Sequence, residues 1–125
     1  MRCLRVFLIG ILLLGAFSLN SISSATDWDY IGKNVKGTML FIDKDSAKLN
    51  SEYTKVWVKM SYPEGASDVF LVALDRRAKM IHYFSYAVYD KDGVIISAGD
   101  FYDGWKHIVP ESGMEAVYKA IWPFN

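Results

Sequence analysis

The stretch DVFLVALDRRAKMIHYFSYAVYD, residues 68–90, contains two β-type runs joined by a short charged segment. The runs are DVFLVALDR (68–76) and KMIHYFSYAVYD (79–90), and both are rich in the β-branched and aromatic residues that favour strands. Because a turn and not a helix connects them, the two strands are expected to be antiparallel neighbours. The stretch therefore predicts a β-hairpin.

Further β-type runs flank this hairpin, and turn-forming residues separate them. These runs are WDYI (28–31), TMLFID (38–43), TKVWVKMSY (54–62) and VIISAG (94–99). Pro63 and Gly65 follow the third run, and DKDG (90–93) is a strong turn signal before the last one. Short strands joined by turns predict a six-stranded antiparallel meander.

The only convincing helix lies at the C-terminus, in PESGMEAVYKAIW (110–122). Ser112 is placed to cap it, and Glu115 is placed to reach back to the cap amide, which is the spacing of a capping box. One apolar stripe follows, formed by Met114, Val117, Tyr118 and Ile121. An isolated helix of this length is marginal in water, so the stripe must dock on the sheet. The predicted fold is α+β, with this helix packed on one face of the sheet.

Alternation along the strands leaves a second apolar face. The predicted helix side of 54–62 comprises Val56, Val58, Met60 and Tyr62, and the other side comprises Lys55, Trp57, Lys59 and Ser61. In 79–90 one side comprises Met80, His82, Phe84, Tyr86 and Val88, and the other comprises Ile81, Tyr83, Ala87 and Tyr89. One helix cannot cover both faces. Either the sheet curls around its core or the second face meets a partner, and a second copy of the chain is the favoured partner.

The N-terminus has the pattern of a secretory signal peptide. Arg2 and Arg5 precede the apolar run VFLIGILLLGAF (6–17), and Ser23-x-Ala25 forms a small-residue cleavage site. The apolar run has 12 residues, whereas a membrane span needs roughly 20. We therefore predict a signal peptide at 1–25, a single exported domain at 26–125, and no integral membrane segment after cleavage.

Charge and cysteine content exclude several classes of partner. Removal of Arg2 and Arg5 lowers the basic count from 14 to 12 against 14 acidic residues, a net charge near −2. No basic face for nucleic acid is expected from this balance. The one cysteine, Cys3, lies in the predicted signal peptide, so the exported domain is expected to have no disulfide and no thiolate metal site.

Candidate catalytic residues are few. We expect His82 to pack against aromatic rings with its nitrogens hydrogen-bonded, and His107 to form a hydrogen bond in a loop. Spacing alone leaves a Ser-His-Asp arrangement open, because triads assemble in space. Ser112 is better explained as a helix cap, so a hydrolase or metal-dependent enzyme is only the third hypothesis.

Two pairs of carboxylates imitate metal sites without completing one. The sequence DKDSAKLNSE (43–52) begins like a calcium loop, but Ala47 occupies a ligand position and Lys48 occupies the position that requires glycine. Asp90 and Asp92 fit the chemistry of a turn. We therefore predict no catalytic residue, no metal ligand and no cofactor.

The remaining candidates are residues suited to contact with another protein, since surface aromatics bring large contact area at low entropic cost. The candidate binding residues are Lys55, Trp57, Lys59, Phe101 and Tyr102. Trp105 follows in GDFYDGWKHIVP (99–110), and two interpretations of it stay open. It either joins the binding surface or packs beneath the start of the helix, and the second interpretation is slightly favoured.

The order of several segments is similar to a known family. Trp28 is followed by FID (41–43), KVWVKMSY (55–62), LDRRAKMIHYFSYAVYDKDG (74–93) and WKHIVPESGMEAVYKAIW (105–122). Over nearly the whole predicted exported domain, this series resembles the surface-adhesin protein E family of Gram-negative bacteria. No single motif is specific, and the ordered series carries the resemblance.

The resemblance implies an exported domain with a six-stranded antiparallel sheet, one C-terminal helix on the concave side, and dimerisation. It also implies a protein partner of the host extracellular matrix or plasma, such as vitronectin, laminin or plasminogen. The expected location is the periplasm or the cell surface, associated with the outer membrane. The alternative is a periplasmic structural or assembly protein that forms a homodimer and has no host ligand.

One departure from the family concerns a disulfide. The resemblance implies cysteines where this chain has Arg76 and Trp122, and in relatives they tether the helix to the sheet. Such a bridge contributes about 4 kcal/mol in the chain-entropy model, whereas a cation–π contact contributes about 0.5–2 kcal/mol. We predict that Arg76 and Trp122 lie close together and replace the bridge in part.

Overall fold

The computed structural model describes residues 27–47 and 52–124. Its strands are β1 (Asp29–Lys33), β2 (Met39–Ile42), β3 (Tyr53–Ser61), β4 (Ser67–Asp75), β5 (Met80–Tyr89), β6 (Ile95–Asp100) and β7 (Lys106–His107). The helix α1 spans Gly113–Ile121, and a short 3-10 turn spans Lys44–Ser46. The predicted signal peptide, 1–25, lies outside the described residues.

The first six strands pair in the order of the chain, each antiparallel to the next. The predicted α+β fold, a six-stranded antiparallel meander with one C-terminal helix, is confirmed. The two-residue strand β7 was not predicted. It pairs with the start of β5 through Met80↔His107 and Ile81↔Lys106, so His107 belongs to a strand and not to a free loop.

The core lies between α1 and one side of the sheet. The predicted stripe of Met114, Val117, Tyr118 and Ile121 is buried. Its sheet partners in the core cluster include Leu40, Ile42, Val56, Val58, Val72, Leu74 and Ile81. Each fully buried aliphatic or aromatic side chain contributes about 1.5–3 kcal/mol relative to exposure. Packing against the sheet therefore supplies most of the stability that a nine-residue helix lacks in isolation.

A β-bulge in β5 reverses the predicted faces of its second half. Val72 pairs with Tyr83, but the residue before it in β4, Leu71, pairs with Ser85. Phe84 is therefore an extra residue, and an extra residue shifts the alternation by one. The predicted grouping of Tyr86 with His82 is wrong for this reason, because Tyr86 lies on the helix side.

The turn between β4 and β5 anchors the helix. The Tyr118 hydroxyl donates a hydrogen bond to the Arg76 carbonyl oxygen at 2.6 Å. The Lys79 Nζ lies 3.6 Å from Glu115 Oε2 and 5.4 Å from the centroid of the Tyr118 ring. Lys79 is thus an exposed turn residue that also contacts the helix.

The cap of α1 differs from the predicted capping box in one bond. The Ser112 Oγ accepts from the Glu115 amide at 3.3 Å, as predicted. The Glu115 Oε1, however, accepts from the Glu111 amide at 2.9 Å. The Ser112 amide is already bonded to the Val109 carbonyl oxygen at 3.2 Å, so the carboxylate binds the amide one residue earlier.

We predict that Glu115→Gln destabilises the fold in a pH-dependent way. The hydrogen bond from the Glu111 amide, helped by Lys119 and Lys79, lowers the pKa of Glu115 from its usual 4.5. A lowered pKa gives stability that is present above the unfolded pKa and is lost as the pH falls through the folded value. Urea unfolding should therefore show a deficit in the variant near neutral pH that shrinks at about pH 3.

Glu111→Gln is the matched control, because the Glu111 carboxylate has no hydrogen bond or ion pair within 27–47 and 52–124. This control should follow the unsubstituted protein at both pH values. An equal loss for Glu115→Gln at neutral and acidic pH would contradict the role assigned to the carboxylate.

Candidate functional site

The side of the sheet opposite α1 is covered by no helix in the part of the chain that the structure describes. We call this side the open face. Its large side chains are Tyr30, Phe41, Tyr53, Lys55, Trp57, Lys59, His82, Phe84, Tyr89 and Trp105. Within the described ranges, this strongly aromatic surface with interspersed lysines is thus covered by no helix.

The structure brings three of the five candidate binding residues together. Lys55, Trp57 and Lys59 alternate along β3 and share the open face. Phe101 does not join them, because its ring packs on the helix side, and Tyr102 lies in the loop after β6 with 92% of its surface exposed. The ring partners of Phe101 are Phe70, Tyr83 and Tyr86, at centroid distances of 6.4, 5.4 and 5.2 Å.

One end of the open face contains a stack of rings around a lysine. The Lys55 Nζ lies 4.3 Å from the centroid of Phe84, and the His82 ring lies 4.5 Å from Phe84. Trp105 completes the stack at 5.4 Å from His82 and 5.7 Å from Tyr53. Trp105 therefore lies on the open face and not beneath the start of α1, because β7 pairs with the start of β5 and brings Trp105 next to His82.

His82 has aromatic neighbours, as expected, but not the expected hydrogen bonds. Its Nδ1 is buried and has no hydrogen-bond partner among the described residues. The groups in ring contact with it are Phe84 and Trp105, which offer no carboxylate to orient the imidazole as a general base. In this arrangement His82 serves as a ring in a stack.

The other end of the open face is a groove of about 510 Å³. Trp28, Trp57, Lys59, Tyr89 and Lys91 contribute its large side chains. The Lys59 Nζ lies 5.8 Å from the ring centroid of Trp28 and 5.8 Å from that of Phe41. Aromatic rings and ammonium groups thus recur together at both ends of the face.

The lysines of the open face are not neutralised by acids. Among residues 27–47 and 52–124, no carboxylate oxygen lies within 4.0 Å of the ammonium of Lys55, Lys59 or Lys91. Asp100, an acid at the border of this face, instead accepts a hydrogen bond from Ser85 at 3.0 Å. The face is therefore locally positive although the predicted exported domain is weakly acidic.

The polar groups that imitate metal sites have structural roles. Asp43 Oδ1 accepts from the Asp45 amide at 3.1 Å, and Asp90 Oδ1 accepts from the amides of Asp92 and Val94 at 2.9 and 3.0 Å. Within the described ranges no group of three or more His, Cys, Asp or Glu residues is placed to hold a metal ion. No helix in those ranges is long and apolar enough to cross a membrane.

Tyr62 has a strongly raised pKa. Burial, the hydrogen bond that its hydroxyl donates to Asp68 Oδ2 at 2.5 Å, and the charge of Asp68 raise the pKa of Tyr62 to about 12. A phenol with such a pKa stays protonated near neutral pH. Tyr62 therefore acts as a hydrogen-bond donor at the end of β3 and not as a base.

Arg76 and Trp122 lie close together. The Arg76 guanidinium carbon is 6.0 Å from the centroid of Trp122, at the outer limit for a cation–π contact. Arg76 Nη1 is also 4.0 Å from Glu52 Oε1. Trp122 is 3% exposed and its ring lies 5.1 Å from that of Tyr118, so burial outweighs the cation–π contact at this position.

Comparison of the chain with known protein families, with characterised proteins and with solved structures finds no match. The resemblance to the adhesin E family therefore stays an expectation from the order of segments in the sequence.

A double-mutant cycle should reveal the Arg76–Trp122 contact. We expect Arg76→Gln and Trp122→Leu to couple by about 0.5–2 kcal/mol, because each removes one partner of the same contact. The free energies of unfolding in urea of the two single variants and the double variant provide the measurement. Arg77→Gln combined with Trp122→Leu is the control, since Arg77 is exposed and should give additive effects. Additive effects for the Arg76 pair as well would refute the contact.

Proposed function

We propose that this chain is an exported, non-catalytic, protein-binding module similar to surface adhesin E, and that its open face is the binding surface. The observation that carries the proposal is the combination, on one uncovered face, of half-buried or exposed aromatic rings with lysines that form no ion pair with a described acid. Aromatic side chains supply contact area at low entropic cost. The lysines favour a partner with an acidic segment.

The architecture supports the adhesin-like interpretation. A six-stranded meander with a C-terminal helix on one side is the arrangement that the resemblance implies. The proposed partner is a host extracellular-matrix or plasma protein, and the proposed location is the cell surface. The binding face is built by the rigid strands β3 and β5 and not by loops alone, which suits recognition of a folded partner.

Reversal of charge on the open face should weaken binding to a matrix protein. We expect Lys55→Glu with Lys59→Glu to reduce affinity for vitronectin or laminin by about tenfold or more, since both substitutions oppose an acidic partner. Surface plasmon resonance with immobilised matrix protein provides the measurement. The matched control is Lys36→Glu with Arg77→Glu, which changes the same net charge at exposed positions in two turns. Equal losses in both double variants would show that net charge and not the open face controls binding.

A second candidate function, a homodimeric structural or assembly protein of the periplasm, is favoured by the edge strand β6. Ile95 and Ile96 in this strand are 52% and 63% exposed. The outer edge of β6 pairs with no strand among the described residues, and an apolar edge of this kind is a template for another strand. A second copy that pairs through β6 would cover it.

The dimer hypothesis predicts a measurable change of mass. If two copies pair through β6, Ile96→Lys should convert a dimer into a monomer in sedimentation equilibrium, because a charged edge residue opposes strand addition. Val35→Lys, a substitution at an exposed valine in the turn between β1 and β2, should leave the dimer intact. A monomeric unsubstituted protein would contradict the hypothesis.

Accessibility on intact cells separates the two functions. An adhesin at the surface should be cleaved by added protease, whereas a periplasmic protein should be protected until the outer membrane is permeabilised.

A further inference from the structure

The groove at one end of the open face has a floor of strands and walls of turns. Trp57 and Lys59 belong to β3, and Tyr89 ends β5. The walls are the turn between β3 and β4, which contains Gly65, and the turn between β5 and β6, which contains Lys91. Trp28 closes the groove from the start of β1.

The two turns touch each other, and their sequences allow it. Gly65 has a φ of +106°, and a Cβ placed there would lie 3.1 Å from the Cβ of Lys91. Glycine at this position therefore provides both the backbone conformation and the close approach. Asp90 Oδ1 holds the second turn by accepting from the Asp92 and Val94 amides. The wall that carries Lys91 is thus fixed by hydrogen bonds to the Asp90 side chain within the turn.

The groove has a formal charge of +1, because Lys59 and Lys91 line it together with one acid, Asp90. Within the described residues neither Lys59 nor Lys91 has a carboxylate oxygen within 4.0 Å. One carboxylate oxygen of Asp90 is already used in two hydrogen bonds within its turn. Lys59 is instead held against the ring of Trp28, 5.8 Å from its centroid. The groove is therefore prepared for an anionic group near two ammonium groups.

The shape of the groove excludes two simple classes of ligand. A wholly apolar ligand requires a site that encloses most of its surface, whereas this groove is open and its side chains are half-buried or exposed. A bare anion would gain nothing from two indoles and a phenol. The fitting ligand has an apolar face for an aromatic ring, a polar face for water, and a negative charge at its edge.

We propose that the groove binds an acidic saccharide, a pyranose ring that carries a carboxylate. The C–H face of the sugar stacks on the ring of Trp28 or Trp57, and the carboxylate points towards Lys59 and Lys91. This site goes beyond the proposed protein-binding function and does not depend on it.

The experiment uses two matched probes, 3′-sialyllactose and lactose, which differ by the acidic sugar. The protein is expressed as the full chain, purified and labelled with ¹⁵N, and the indole N–H signals of its four tryptophans are followed. Saturable shifts of the Trp28 and Trp57 signals with 3′-sialyllactose, and none with lactose, are the expected result. The Trp122 signal is the internal control, because this residue is buried beneath the sheet on the helix side.

Matched lysine variants test the charge argument. Lys91→Met should weaken 3′-sialyllactose binding by about tenfold, as expected for loss of a charged hydrogen-bond partner. Lys55→Met removes the same charge from the open face outside the groove and should leave the affinity unchanged. Lys91 is exposed, so its replacement should not disturb folding.

Three outcomes would overturn the proposal: no shift of either groove tryptophan, equal shifts with lactose, or equal loss in the two lysine variants. Parallel measurement of matrix-protein binding keeps this proposal separate from the proposed function. Loss of saccharide binding with retained protein binding in Lys91→Met supports two distinct sites. Saccharide binding without any protein binding overturns the proposed function alone.

Discussion

Burial of the helix stripe against one side of the sheet is the constraint on which the rest of this structure depends. The hydrogen bond from the Tyr118 hydroxyl to the Arg76 carbonyl oxygen fixes where the helix docks. Tyr118 is 2% exposed, and a buried hydroxyl without a partner is costly, by about 1–3 kcal/mol on the scale of protein mutations. The nine-residue helix is too short to be stable alone. It must therefore dock where its apolar stripe is covered and this hydroxyl is bonded, which is over the turn between β4 and β5.

Docking of the helix on one side of the sheet determines which side chains remain uncovered on the other side. The twisted sheet has two faces, and α1 buries Val56 and Val58 while Lys55, Trp57 and Lys59 remain on the open face. Two acids at that face accept hydrogen bonds, Asp90 from turn amides and Asp100 from Ser85. The positive aromatic surface is thus a consequence of the same alternation that builds the core, and both proposed binding activities depend on it.

The attachment of the helix is spread over several contacts. The Arg76–Trp122 contact is at the outer limit of cation–π distance and contributes about 0.5–2 kcal/mol at most, less than the roughly 4 kcal/mol of a disulfide across such a loop. The ion pair of Lys79 with Glu115 is partly exposed, so its contribution to the attachment is small. Burial of Trp122 and Tyr118 is the larger part of the attachment, so packing holds the helix on the sheet more than any single polar contact does.

The sequence by itself determined the strands, their antiparallel order, the helix and its buried stripe, because these depend on local periodicity, turn residues and the Ser112 cap. It also indicated that Lys55, Trp57 and Lys59 share a face, since they alternate within one strand. Only the tertiary structure decided that Phe101 is half-buried, that Trp105 joins His82 on the open face, and that Lys79 contacts the helix. Periodicity indicates which side of its own strand a residue lies on. The bulge at Phe84 and the pairing of β7 with β5, however, depend on how distant segments fit together.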